Sequence, residues 1–267
     1  VNFIEYNFPE MLHIPSSCKS PHEMFGSVAK TYFAEKMNID PKDIVVVSVM
    51  PCVAKKYESA RPELSNKGLS DVDYVLSTRE IAHMIKDCSM DFPKLEESEF
   101  DSIMGESSGA GVIFGSTGGV MEAALRTAYN MITGEDLEKL EYKELKDLRG
   151  FKEAEIEIKG KKIKAAVVSG LGNARKLLNS IKSKEKSYDI IEIMACPGGC
   201  IAGGGQPFIH GNTDIIRKRM KGIHSEDRNK KIRLSYKNPS IQKIYSEYLG
   251  EPGGERAHHL LHTTYGK

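Results

Sequence analysis

The chain has 267 residues, with 38 basic and 37 acidic side chains and a formal net charge of +1. Near-neutrality leaves no electrostatic footprint for nucleic acid or an anionic membrane, and no apolar run reaches the length of a membrane span. A composition of 40% hydrophobic and 28% charged residues excludes wholesale disorder and supports a packed core in one large domain or two lobes.

The chain opens VNFIEYNFPEML, alternating and aromatic, without an initiator Met or a signal h-region. An upstream part is therefore expected. Residues 20–37 read as a helix with Ser20 as N-cap, Pro21 at the first helical position and Glu23 three residues after the cap. Pro41 and Asp43 mark a turn. Ile44–Met50 (IVVVSVM) reads as a buried parallel strand, and Val72–Ser77 as a second. Thr78–Cys88 reads as a helix capped by Thr78, with Glu80 in its first turn.

A Gly/Ser-rich stretch at 105–119 precedes a strong helix in MEAALRTAYNMI. Between 151 and 171, AEIEIK and IKAAVVSG read as a hairpin joined by Gly160-Lys161. Asn173–Ile181 is a predicted helix, Tyr188–Met194 another buried strand, and 238–249 an amphipathic helix started by Pro239. Alternating strands and helices give an α/β class, with mainly parallel sheets flanked by helices. The expected organisation is a first lobe at 1–104, a second at 105–210, and a C-terminal helical tail at 211–267 packing on both.

The five cysteines are too few for a disulfide scaffold, and their number is odd. Placement is more telling. Cys52 follows the strand ending at Met50, in MPCVAKKYE. Cys196 and Cys200 follow the strand ending at Met194, in MACPGGCIAGGGQP. Both sets lie at the carboxyl ends of strands, the edge where open α/β sheets bind ligands. Thiolates there suit a soft metal or an iron–sulfur cluster, and the surrounding glycines let backbone amides approach an anionic inorganic group. The C-x₃-C spacing alone also suits zinc or a redox pair. Cys18 and Cys88 read as small bystanders.

The complete motifs say more than the spacing. MPCVAKKYE and MACPGGCIAGGGQP resemble the second and third signatures of [FeFe]-hydrogenases. SSCKSP, VDYVLSTREIAHMIK, MGESSGAGVIFGSTGGVMEAALRTAY and NPSIQKIYSEYLGEPGGERAHHLLHTTY are similar to the same family's catalytic domain, in order and in spacing. The resemblance implies an H-cluster in the cleft between two lobes. That cofactor is a [4Fe–4S] cubane linked to a two-iron subcluster bearing CO, cyanide (CN) and a bridging dithiolate. It implies Cys52, Cys196 and Cys200 as ligands, with Cys200 bridging the two parts. Lys55 would hydrogen-bond a cyanide ligand, with Glu58 as its acidic partner. Met50, Pro51, Met194 and Phe114 would wall the pocket, although ordinary core packing explains Phe114 equally well. Ser16 would lie on a proton path, and Ser20 and Pro21 near the two-iron ligands. His22 stands where many relatives have glutamine.

The family's first signature, which carries the fourth cysteine ligand, is not in this sequence, nor are C-x₂-C-x₂-C runs for accessory clusters. The expectation is therefore part of an iron hydrogenase for anaerobic hydrogen metabolism, cytoplasmic, inactive or apo as this segment alone. The implied partners are an upstream hydrogenase segment with the fourth ligand, a ferredoxin or NADH-linked redox donor, and maturation enzymes. The rival reading is a hydrogenase-like iron–sulfur assembly or scaffold protein that makes no H₂.

Overall fold

In a computed structural model of the chain, residues 1–137, 143–144 and 150–266 are described. The opening VNFIEY segment is helical, as α1 (Asn2–Asn7), because an alternation six residues long does not separate the two periods. The expected 20–37 helix forms as α2 (Pro21–Val28), a π turn (Ala29–Phe33) and α3 (Ala34–Met37), closed by Asn38 in the left-handed region. Ser20 occupies the cap position with extended backbone, yet its side chain makes no capping bond. Glu23, the expected reciprocal cap residue, is wholly buried.

Strand β1 (Val47–Met50) is followed by α4 (Ala54–Ser59), then by the two-residue ladders β2 (Ser65–Asn66) and β3 (Leu69–Ser70), which pair antiparallel. Strand β4 (Tyr74–Ser77) lies parallel to β1, with Met50 opposite Ser77. Both strands were expected to be buried throughout. Instead only one face is covered: Val46, Ser48 and Val75 point inward, while Val47 and Tyr74 are 51% and 63% exposed. The pair alone cannot fold helices over both of its faces. The cap of helix α5 (Thr78–Asp87) lies one residue earlier than expected. Ser77 is the cap, accepting from the Glu80 amide, while the Glu80 carboxylate accepts from the Ser77 amide. Thr78 is already helical.

Two compact units emerge. The first comprises residues 1–105, 205–207 and 239–267, the second 106–204 and 208–238. In the second, the Gly/Ser stretch contains a short helix, α6 (Gly109–Ile113), before α7 (Gly119–Thr133). Its sheet runs in the order β5 (Lys143–Glu144), β6 (Phe151–Ile158), β7 (Lys161–Ser169), β8 (Ile190–Met194). The β6–β7 hairpin turns on Lys159-Gly160 rather than Gly160-Lys161: both have positive φ, at 49° and 78°, as a two-residue hairpin turn of this hand requires. β7 and β8 are parallel, joined through α8 (Leu171–Lys182). β8 is half-buried, with only Glu192 fully enclosed. The core of this unit joins Met121 and Leu125 of α7 to Ile156, Ile158 and Val167 of the sheet.

The 211–267 stretch was expected as one tail, but it is shared between the units. α9 (Asp214–Asn229), a helix the sequence reading did not bound, packs on α6 in the second unit. A buried Asp227 anchors it, accepting from Arg126 of α7 and from Arg233. α10 (Pro239–Ile244) and α11 (Glu255–Leu261) belong to the first unit, where Ile244, Leu249, Ala257 and Leu260 close a cluster over Val28 and Tyr32. Among the described residues no helix is long and apolar enough to cross a membrane.

Candidate functional site

The two cysteine motifs are built the same way, each on the chain leaving a parallel strand. In the first unit, β1 ends at Met50 and delivers Pro51 and Cys52 into the turn before α4. Met50 packs partly against Ala29, Val46, Val72 and Val75. The Pro51 carbonyl accepts from the Gly205 amide at 2.9 Å, and the Gly205 carbonyl accepts from Arg79. A Cβ on Gly205 would meet the Pro51 carbonyl carbon at 2.9 Å and the Ser77 Cβ at 2.9 Å. Only glycine allows this approach to the backbone beside Cys52.

In the second unit, β8 ends at Met194, whose carbonyl accepts from Gly170. Cys196 and Cys200 follow, with Cys200 opening a single 3₁₀ turn (Cys200–Ala202). The Gly199 amide donates to the Cys196 carbonyl. Gly199 has φ of 92°, and a Cβ there would lie 2.7 Å from the Thr117 amide nitrogen. The cysteine loop therefore rests directly on the 115–117 backbone, fixed further by the Ile201 amide donating to the Gly115 carbonyl. That backbone is held in turn by Glu192 of β8, whose carboxylate accepts from the Gly118 and Met121 amides at the start of α7. Phe114, just before it, is partly buried against Ala110, Ile113 and Ala123. Cys52, Cys196 and Cys200 are all half-buried thiols, whereas Cys18 and Cys88 are exposed.

Helix α4 places Lys55 and Glu58 three residues apart on one face, as a half-buried ion pair through Glu58 Oε2. The same oxygen lies 3.3 Å from His22 Nε2 of α2, and His22 Nδ1 lies 3.0 Å from the Ser48 hydroxyl of β1. His22 Nε2 also lies 3.1 Å from Glu23 Oε1. Burial would raise the Glu58 carboxyl, but the His22 hydrogen bond and the Lys55 charge hold it down at about 2. Burial by itself lowers His22, yet its contacts with Glu23 and Glu58 carry it above the ordinary value of 6.5.

Of the remaining expected residues, Pro21 is exposed at the first position of α2. Ser16 is exposed, its hydroxyl accepting from the Cys18 amide at 3.2 Å. The sequence reading missed Glu23 as a buried charge, because its spacing from Ser20 fits an exposed capping box. The adjacent His-Glu pair ahead of the apolar Met24-Phe25 was the available signal.

Thiols are soft donors that suit iron–sulfur ligation. Each unit by itself carries them on the chain leaving a parallel strand, Cys52 in the first and Cys196 and Cys200 in the second. The donor chemistry of each turn fits such a cofactor.

Residues 1–204 match the family described as the iron only hydrogenase large subunit, C-terminal domain, and residues 213–267 the family described as the iron hydrogenase small subunit. The chain belongs to the iron-only hydrogenase large-subunit family. It is 49% identical to the NADP-reducing hydrogenase subunit HndD of Solidesulfovibrio fructosivorans, across 100% of this chain and 46% of that protein. To iron hydrogenase 1 of Clostridium pasteurianum it is 46% identical, across 98% of this chain and 46% of that protein. Protein NAR1 of Arabidopsis thaliana is 33% identical, across 94% of this chain and 56% of its own. The chain thus spans about half the length of the curated relatives it matches. Among solved structures, apo [FeFe]-hydrogenase HydA1 from Chlamydomonas reinhardtii, variant C377H, superposes with a TM-score of 0.87 at 40% identity, covering 98% of this chain and 73% of that one.

Proposed function

We propose that the chain is part of an [FeFe]-hydrogenase that reversibly reduces protons to H₂ at an H-cluster, with electrons from a ferredoxin or NADH-linked donor. The observation that carries this reading is the pair of matching cysteine turns. Each leaves a parallel strand and presents half-buried thiols beside a glycine pressed onto neighbouring backbone.

In this reading Cys52, Cys196 and Cys200 would hold an H-cluster, a [4Fe–4S] cluster with a two-iron subcluster carrying CO, CN and a bridging dithiolate, as thiolates. The H-cluster, when bound, would relay the donor's electrons and supply the metal chemistry of H₂ formation. The chain supplies the surroundings. Lys55, oriented by Glu58, donates a charge-assisted hydrogen bond to an anionic cyanide ligand. Met50, Pro51, Phe114 and Met194 exclude water with apolar, adaptable surface. Ser16 can relay a proton because a hydroxyl both donates and accepts. Ser20 and Pro21 line the approach at the start of α2. The fourth cubane ligand and the redox partner's docking surface belong to an upstream segment, and insertion of the two-iron unit needs maturation enzymes. This segment alone is then inactive.

Anaerobic iron–sulfur reconstitution tests the ligand set. Cys196→Ala and Cys200→Ser are expected to remove most of the cluster absorption near 400 nm, on the order of tenfold by general cluster ligation chemistry, while Cys88→Ala leaves it unchanged. Equal absorption in all three variants would remove the basis of the assignment. A hydrogenase-like iron–sulfur assembly role is the second reading, favoured by the 33% identity to NAR1 and the 30% identity to the cytosolic Fe-S cluster assembly factor narfl of Xenopus tropicalis. Infrared spectra of the matured full-length protein separate the two. CO and cyanide bands with H₂ turnover support the hydrogenase, and a cluster without such bands supports the assembly role.

A further inference from the structure

The polar group behind Lys55 contains more negative charge than Lys55 can balance. Glu23 and Glu58 are 0% and 21% exposed at the side chain, and His22 is 4% exposed between them. Neither Glu23 oxygen has a hydrogen-bond donor aimed at it among the described residues. His22 Nε2 lies 3.1 Å from Glu23 Oε1, off the hydrogen-bond line. A buried carboxylate without compensation costs several kcal/mol. Lys55 is engaged on Glu58 Oε2. A second positive charge in this position brings the four groups, two acids and two bases, to neutrality.

We propose that His22 is a positioning residue that acts as an imidazolium, bridging Glu23 and Glu58 and thereby setting how tightly Glu58 holds Lys55. Nδ1–H donates to the Ser48 hydroxyl and Nε2–H faces both carboxylates. Glu58 Oε2 is the shared atom. With His22 charged, that oxygen is divided between two cations, and the Lys55 ammonium keeps donor capacity for another acceptor. With His22 neutral, Lys55 is the one hydrogen-bonded cation left on Glu58 Oε2 among the described residues, and Glu58 binds it more tightly. The raised affinity of His22 for its proton accords with this arrangement.

The neighbouring charges leave the role to His22. Lys19 and Lys30, the buried lysines of this unit, are committed to Asp71 and Asp73. Helix α11, which packs on α2, turns His262 toward Ser17 and Cys18 and stacks His258 on His262. Tyr265, near Glu58 and Glu23, has its hydroxyl pushed up by burial and by those carboxylates, so it stays a neutral phenol and adds no charge to the group.

The significance for catalysis rests on the reading of Lys55 given above, but the test does not. Nitrogen-15 NMR of histidine and lysine side chains is recorded on the chain without any cluster, from pH 5 to 9, with His22→Gln and Lys55→Arg used to assign signals. His22 is expected to keep both ring protons to a higher pH than a free imidazole, with a midpoint above 6.5. The Lys55 ammonium signal should shift at that same midpoint, and in His22→Gln it should no longer respond between pH 6 and 9. A His22 midpoint at or below 6.5 overturns the proposal. So does a Lys55 signal that ignores the His22 titration, or one that still follows pH in His22→Gln. The wild-type titration stands by itself if the variant does not fold. Failure of the hydrogenase reading would appear instead in the infrared experiment, with these NMR results unaffected.

Discussion

At the scale of single residues, Gly205 and Glu58 carry distinct, measurable burdens. Gly205 has no unusual φ, so its requirement is purely steric: a methyl group would press into the Pro51 carbonyl carbon. Gly205→Ala is expected to destabilise the chain by about 1–3 kcal/mol, as overpacking does, read as a lower denaturant midpoint. An unchanged midpoint would mean that the Cys52 turn yields freely. Glu58 has its folded-state value depressed from 4.5 to about 2. Its stabilising contribution is therefore complete above 4.5 and is lost as pH falls from there through about 2. Glu58→Gln should flatten the fall in thermal midpoint across that acid window. His22 works in the opposite direction. Its raised value gives stability that is full below 6.5 and is lost as pH climbs through its folded-state midpoint. The cysteines and Lys55 were legible from the sequence because their motifs are contiguous. The His22–Glu23–Glu58–Ser48 group was not, since its members come from α2, β1 and α4 and only the fold assembles them.

At the scale of elements, the sequence located most helices and strands and erred at their ends. Thr78 and Ser77 are equally good caps on paper, and only the backbone decides. Ser77 is extended at φ −78° and ψ 161°, and its hydroxyl receives the Glu80 amide. Ser77→Ala should therefore cost about 1 kcal/mol, and Thr78→Ala less than about 0.5 kcal/mol, compared by urea denaturation. Equal losses would return the cap to Thr78. The strand at 44–50 was read as buried because an uncharged β-branched run looks the same whether one face or two are covered. Alternation is invisible when both faces are apolar. In the β6–β7 hairpin the one-residue error came from treating Gly160 as the first turn residue, when Lys159 also adopts positive φ.

At the scale of the molecule, the α/β class and flanking helices were readable from the alternation of elements. The division of the C-terminal stretch was not, because it depends on long-range packing of α9 on α6 and of α11 on α2. Residues 210–213, just ahead of both attachments, are exposed, and they lie where the two family matches meet. A protease site placed at Gly211-Asn212 should cut without releasing the 212–267 piece. The two pieces are expected to co-elute on size-exclusion chromatography with the far-ultraviolet circular dichroism of the intact chain. Separation of the pieces would show that the buried Asp227 anchor and the Val28–Leu260 cluster are too weak to hold without the covalent link.

The three-part make-up of the first unit also bears on the order in which the protein takes shape during synthesis. Val28 and Tyr32 emerge from the ribosome early, but Ile244, Leu249 and Leu260, which cover them, are made only after residues 106–238. At about 5–20 residues per second, the wait is roughly 10–40 seconds. During that interval the second unit can close on itself, while α2 holds its apolar side open to whatever the cell offers. A nascent chain stalled before residue 239 should therefore be a client for chaperones, and one that has cleared α11 should not.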